Sequence, residues 1–448
     1  MVSLGRGVRT GLEYGGMRLT NVAQMALPAG RLHGYVLRTD GRPGRALPVS
    51  FDQGRHVGEG PRPGSWMAVS FRMPSVVDRA DLATAWEAVV ARHGTLRTAF
   101  ALGPSGDVHV EEVDVLGGEW VEHPVADGVH VRDVLREVFD AACSPLERPS
   151  HRLCVVEADG ERPVVVVGAD HSHVDMWSLL VLVRDLLSGL DDLADGRPPL
   201  ADAPEVAAFS DHTAVLAAMP PAPPEVSQRW AAILGASGGA MPVFPLPLGD
   251  VAVPPPAVVE VRDVLDADEV RRFQAFAHDR GVRMIAVATS VMTRVVAEQA
   301  GGPFRAVFPV HSRYQDRWHD SVGWFITNAV IESADPDLRA SAAAVTEAIR
   351  LGSHPLGPIL EPHGGMRVPP GMFAVSWLDT RRLPVEVRDG LELQYVGAVM
   401  PTDGVMVWFV VNDTGLHLRC RYPDTEQSRA SVGGWLDAVG DALRACGD

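Results

Sequence analysis

Lysine is absent from this 448-residue chain, and all 40 basic residues are arginine. A Walker A phosphate loop needs its lysine, and pyridoxal-phosphate chemistry needs a Schiff-base lysine, so both are excluded. Cysteine is scarce: Cys143, Cys154, Cys420 and Cys446 are scattered, with no CxxC pair. That leaves no zinc ribbon or redox motif and reads as ordinary thiols of a reducing cytoplasm. No apolar run approaches the roughly 18 residues that span a bilayer. The opening Met1-Val-Ser-Leu-Gly-Arg-Gly-Val-Arg9 lacks the apolar core of a signal peptide. Positive charge is outweighed, 40 basic against 57 acidic residues, for a net charge of −17. Such a balance disfavours nonspecific binding to nucleic-acid phosphates.

The remaining composition is that of a globular protein, 46% hydrophobic and 22% charged, with length enough for two domains. Residues up to about Pro63 are rich in Gly, Arg and Pro and are expected to wrap a first lobe, with Met1 to Tyr14 loose. Periodicity predicts a strand over 66–71, helices over 81–93 and 129–142, and strands over 152–157 and 163–168. Pro-rich sequence begins at Pro198 and recurs at Pro220 to Pro224 and Pro242 to Pro256, around a short helix over 226–234. The division expected is a first lobe over 1–215, a Pro-rich linker over 216–256 and a second lobe over 257–448. The second lobe reads as strand 257–264, a helix capped by Asp266 or Asp268, and a buried helix over 283–298. Strands over 305–310, 329–332, 371–378, 405–411 and 416–421 follow, and a helix over 428–445 closes the chain. The fold class is mixed α/β. Leu234-Gly-Ala-Ser-Gly-Gly239 follows a helix and enters a Pro-rich stretch, the wrong setting for a dinucleotide loop.

The most informative segment is Val164-Val-Val-Val-Gly-Ala-Asp-His-Ser-His-Val-Asp-Met-Trp-Ser178. A buried strand runs into Asp170 and His171, and Val174, Trp177, Leu180 and Val181 then recur at helical spacing. Ser172 is placed to cap that helix. An imidazole therefore stands at the mouth of a strand-to-helix turn, with a carboxylate four residues on. There it can take a proton from an attacking hydroxyl or amine. His171 and His173 form a His-x-His pair, but no further ligand is in a fitting place, so no metal is expected. His173 reads as a core or surface histidine. Arg92, His93 and Arg97 read as residues that fix the first helix.

His171-Ser-His-Val-Asp175 resembles the HHxxxDG active-site motif of the condensation-domain superfamily of acyltransferases. That superfamily includes the condensation domains of nonribosomal peptide synthetases and the free-standing polyketide-associated (Pap) acyltransferases. Asp170 stands where the first histidine usually is, and Met176 where glycine usually is. Arg92-His-Gly-Thr-Leu-Arg-Thr98 resembles the RHxxLRT signature, preceded by the strand and helix over 67–92. Arg313 with Ser321-Val-Gly-Trp-Phe-Ile-Thr-Asn328 resembles the later arginine and VGxFxN segment. The Val-Gly-Trp-Phe variant is closer to the Pap branch, as are Met17-Arg-Leu-Thr-Asn21 and Ser376-Trp-Leu-Asp-Thr-Arg381. The likeness runs from about Met17 to about Leu443.

The resemblance implies two chloramphenicol-acetyltransferase-like lobes in a V, with a tunnel between them. It implies His171 as the catalytic residue, and Asp175 paired with Arg313 in a structural role at the active site. Met176, Trp324, Asn328 and Ser376 would line the tunnel. No bound cofactor is implied. The acyl donor would be acyl-CoA or the phosphopantetheine arm of an acyl or peptidyl carrier protein, and the acceptor a small alcohol or amine. The product would belong to lipid, polyketide or peptide natural-product biosynthesis in the cytoplasm. The alternative is a non-catalytic condensation-like domain that binds a carrier protein or partner enzyme, which Asp170 and Met176 favour. Another reaction type in the same tunnel, such as epimerisation or cyclisation, stays open as well.

Overall fold

The computed structural model describes residues 18–42 and 44–446. The expectation for Met1 to Tyr14 lies outside the described residues. The chain opens with β1 (Arg18–Asn21), β2 (Arg31–Thr39) and the short β3 (Ala46–Leu47). A helix that periodicity did not predict follows, α1 (Phe51–Gly58). A capping box starts it: the Ser50 hydroxyl accepts from the Gln53 N–H, and the Gln53 side chain accepts from the Ser50 N–H. Next come β4 (Trp66–Arg72) and α2 (Arg79–Arg92), the latter capped by Asp78 accepting from the Ala80 N–H. β5 (Thr98–Leu102), β6 (Val108–Glu112) and β7 (Val115–His123) precede α3 (Val131–Ala142). β8 (His151–Glu157) and β9 (Val164–Asp170) then deliver α4 (Met176–Ala194).

In the second half, α5 (Phe209–Ala217) and α6 (Pro224–Ala236) lead to β10 (Ala257–Asp266). α7 (Ala267–Asp279) has its own capping box, Asp266 with Glu269. α8 (Met284–Ala300) ends where Gly301 takes the left-handed conformation, φ 69°. β11 (Phe304–His311), β12 (Ile326–Ser333), α9 (Leu338–Leu351) and α10 (Leu356–Leu360) follow. β13 (Phe373–Asp379), β14 (Gln394–Gly397), β15 (Val405–Asn412), β16 (Gly415–Pro423) and α11 (Glu426–Arg444) complete the chain.

The fold is mixed α/β with two sheet-bearing lobes. The first sheet has the order β1-β14-β4-β9-β8-β2-β7, and the second β10-β16-β15-β13-β11-β12. A small sheet, β3-β6-β5, flanks the first lobe. β9 explains its own unbroken apolar run. Val165, Val167 and Ala169 pack with α2 and α4, whereas Val164 and Val166 pack with α3 on the opposite face. Both faces are covered, so neither register position is free for a polar side chain. Gly168 is required there, since a Cβ would stand 2.9 Å from the Phe139 ring.

Two features depart from a simple split along the sequence. In the Pro-rich stretch, Val226, Trp230, Ile233 and Leu234 of α6, with Met241 and Phe244, pack into the second lobe's core. β14 crosses the other way. It pairs antiparallel with β4 and parallel with β1, so the first sheet contains a strand from the second half of the chain. Its Tyr395, 3% exposed, donates its hydroxyl to the Met176 carbonyl at 2.7 Å and so holds the first residue of α4. Replacing Tyr395 by Phe removes this tie between β14 and α4. The expected cost is about 1 kcal/mol, seen as a lower urea midpoint at unchanged slope. An unchanged midpoint would show that β14 does not secure α4.

Candidate active site

The segment between β9 and α4 is held at every residue. Asp175 is the N-cap of α4, with Oδ1 accepting from the Ser178 N–H at 2.7 Å. The sequence reading gave this cap to Ser172. Ser172 instead turns back to Asp170, donating from both its N–H (2.9 Å) and its hydroxyl (2.5 Å) to Oδ1. The helix starts later than periodicity indicated. The residue that can reach its orphan N–H groups is Asp175, whose charge also suits the positive helix end.

His171 lies between these two carboxylates and touches neither through its bonded ring nitrogen. Nδ1 is 3.0 Å from the Val174 carbonyl oxygen. A carbonyl only accepts, so Nδ1 carries the hydrogen and Nε2 keeps its lone pair. The backbone N–H of His171 donates to the Ser65 carbonyl at 3.0 Å. Trp324 stacks on the ring, with centroids 4.2 Å apart and planes 27° apart. His171 keeps some exposed surface although Asp170 and Ser172 beside it are fully enclosed. Burial lowers its pKa below the usual 6.5, so the imidazole is neutral at pH 7.

Asp175 and Arg313 meet across the two lobes, both 2% exposed. Arg313 Nη2 donates to Asp175 Oδ1 at 3.0 Å and to the Ser178 hydroxyl at 2.8 Å. Asp175 Oδ2 accepts from the Phe325 N–H at 3.1 Å. The guanidinium lies over the Phe325 ring at 3.9 Å. Burial pulls Arg313 down to about 10, against the attraction of Asp175. Both Asp175 oxygens are thus engaged away from His171, which argues for a positioning role over a charge relay.

The remaining sequence candidates are less closely gathered. Asn328 donates through Nδ2 to Asp52 Oδ1 at 3.2 Å. Met176 is the first residue of α4, half-buried against the first lobe's core. Ser376 is half-buried on β13, in register with Trp408 of β15. His173 is enclosed, 3.0 Å from the Ser172 hydroxyl and edge-on to Phe100, which makes it a core residue. Arg92 and His93 both bond Asp185 at 2.9 Å and tie α2 to α4.

Sequence reasoning missed α1 as part of the site. His56 Nε2 lies 3.1 and 3.2 Å from the two Asp170 oxygens, and Arg62 donates to its Nδ1 at 2.9 Å. An arginine can only donate, so Nε2 carries the His56 hydrogen and gives it to Asp170. Burial opposes ionisation of Asp170, but the bonds from His56, Ser172 and Ser65 outweigh it and lower the carboxyl to about 2. Gln53 Nε2 donates to the Ser172 carbonyl at 2.9 Å. Burial raises Asp52, beneath Asn328, to about 6. The Ser50-x-x-Gln53 signature was a local sign of this helix, but nothing local links it to Asp170.

No protein-family profile matches the sequence. The chain is 24% identical over 416 residues to the acyltransferase PapA3 of Mycobacterium tuberculosis, covering 87% of each. It is 27% identical over 186 residues to the nonribosomal peptide synthetase NPS2 of Ceriporiopsis subvermispora, covering 39% of this chain and 7% of that longer one. Among solved structures it is similar to the PapA2 acyl transferase, with TM-score 0.85, 19% identity, and 96% of this chain and 100% of that one covered. It is also similar to the first condensation domain of the calcium-dependent antibiotic synthetase, with TM-score 0.69, 15% identity, and coverage of 91% and 97%.

Two expectations follow, one from the pair that joins the lobes and one from a buried histidine beside it. Asp175→Ala removes the cap of α4 and leaves Arg313 charged and enclosed, for a loss of about 3–5 kcal/mol in chemical denaturation; a variant as stable as the native chain would refute the assignment. His212, whose Nε2 is 3.2 Å from the Ser312 carbonyl, is lowered by burial to about 4. Its folded pKa lies below the unfolded value, so its contribution is complete above pH 6.5 and is lost as pH falls from 6.5 to about 4. A urea-midpoint series over that range should show a downward slope that His212→Gln flattens by about one proton's worth.

Proposed function

We propose that the chain is an acyltransferase of the condensation-domain type, as its likeness to PapA3 supports, and that it moves an acyl group from a thioester to a hydroxyl or amine with His171 as general base. The observation that carries the reading is the tie from Nδ1 to the Val174 carbonyl, which leaves the Nε2 lone pair free on a ring kept neutral by burial. The acceptor O–H or N–H gives its proton to Nε2 while its heteroatom attacks the thioester carbonyl carbon. The tetrahedral oxyanion collapses with breakage of the C–S bond, and the departing thiolate takes the proton back from the imidazolium. No acyl-enzyme is needed. Holding both substrates between the lobes supplies several kcal/mol of the barrier reduction. Trp324, stacked on the ring, fixes its plane. Asp175 and Arg313 fix the loop and the joint between lobes.

The donor in this reading is acyl-CoA or a carrier-protein phosphopantetheine arm, and a carrier protein is the partner it implies. The Pap-like segments Val322-Gly-Trp-Phe325 and Ser376-Trp-Leu-Asp-Thr-Arg381 favour an ester product over an amide. Four unpaired thiols favour a cytoplasmic setting. The proposed organisation keeps lobes 1–215 and 257–448, joined through 216–256, with β14 exchanged. The non-catalytic reading drew on Asp170 and Met176. The donors gathered on Asp170 weaken it, because they make that position a built part of the loop.

Purified protein with an acyl thioester and an alcohol should release thiol. His171→Ala should retain its fold and lose about 10²–10⁴-fold of that rate; unchanged turnover would end the assignment. Because the folded His171 pKa lies below 6.5, kcat/KM should be level above pH 6.5 and fall on the acid side. A profile that falls only above neutrality would point to a different base.

A further inference from the structure

The second sheet turns one face toward the first lobe. Registers place Ser376 of β13, Trp408 of β15 and Arg419 of β16 side by side in one row of that face. Arg421, two residues on, points the same way, opposite Met406. Arg419 is 7% exposed, and its guanidinium carbon lies 4.7 Å over the Trp408 ring. Its tip reaches the first sheet. A Cβ on Gly397 of β14 would stand 2.7 Å from Arg419 Nη2, so glycine at this position gives the guanidinium its room. Arg421 donates to the Met406 sulfur at 3.0 Å, a weak acceptor. The Nε of each arginine is enclosed without a partner. Among the described residues neither guanidinium has a carboxylate within ion-pair distance, unlike Arg313. Burial, then the charge of Arg421, lowers Arg419 to about 9.

A buried guanidinium beside a half-buried one, with only the longer-range attraction of Asp403 on Arg421, is unfavourable unless something negative completes the pair. We propose that Arg419 and Arg421 form an anion subsite of the substrate chamber, which seats a carboxylate, phosphate or sulfate carried by one of the substrates. A guanidinium offers such an oxyanion two parallel donors. The registers also set the reach. Gly397 pairs with Met67 and Met67 with Ala169, so Gly397 lies two strands from Ala169, about 10 Å at the usual spacing. Ala169 is two residues before His171. The anion would therefore sit on the order of 10–15 Å from the reacting centre, and the site selects a substrate whose negative group is several bonds from the acyl-transfer atom. The identity of that substrate rests on the transfer reading above; the binding of an anion does not.

The test uses the full chain at constant ionic strength, balanced with chloride. Inorganic phosphate should raise the melting temperature along a saturating curve. Arg419→Met should weaken phosphate at least tenfold and Arg421→Met at least threefold. In anion-free buffer Arg419→Met should melt no lower than the native chain, because an unpaired charge has left the interior. Equal phosphate affinity in native protein and Arg419→Met would overturn the site. So would a marked drop in anion-free melting temperature, which would make Arg419 a packing residue for Trp408. Competition between coenzyme A and phosphate would assign the anion to the donor; phosphate binding without competition would assign it to the acceptor or acyl chain. His171→Ala should bind phosphate normally, so a failure of the transfer reading and a failure of this site give different results.

Discussion

A carboxylate and a guanidinium, both withdrawn from water, stand where the two lobes touch. Asp175 offers two oxygens, and α4, Arg313 and the Phe325 backbone all bond to them. In a dry setting each of these bonds is stronger than it would be in solvent, and each is harder to do without. The orientation of His171 follows from this. Its ring is tied to the carbonyl of Val174, the residue just before Asp175, so whatever fixes Asp175 also fixes the imidazole. The proposed base is positioned by a neighbour that never bonds it.

The other end of the same loop is secured by different chemistry. Asp170 occupies the position where the resemblance puts the first histidine of the motif, and a histidine comes to it from α1, 114 residues earlier. Gln53 of the same helix bonds the loop backbone, and Asp52 bonds Asn328 of the second lobe. One short helix thus touches both the loop and the opposing sheet. The site is built by elements from three distant parts of the chain, and α1 is the one that carries no motif.

What was legible in the sequence is what local physics dictates. The valine run of β9 announced a strand covered on both faces, and Asp266 announced a helix start through its own side chain. α2 and α8 were plain from their apolar spacing. Errors arose where the deciding partner was remote. Ser172 looked like a cap because it precedes the apolar spacing, yet Asp170 claims its donors. β14 is four residues long, and its pairing with β4 leaves no trace in its own composition. Arg419 and Arg421 sit in an alternating strand, the usual mark of a solvent-facing edge. The first lobe covers that face instead, and one strand cannot reveal what lies opposite it.

The exchanged strand has a consequence for how the chain is made. Everything in the first sheet but β14 emerges early in synthesis, which leaves β1 and β4 side by side with a vacant lane between them. The lane fills only after most of the second lobe has been built. Until then β4 presents bare backbone along one side, open to any extended segment that reaches it. The lobes are therefore not modules to be cut apart or shuffled at the proline-rich join: a first half produced alone would carry an unsatisfied edge at the threshold of its own reactive loop.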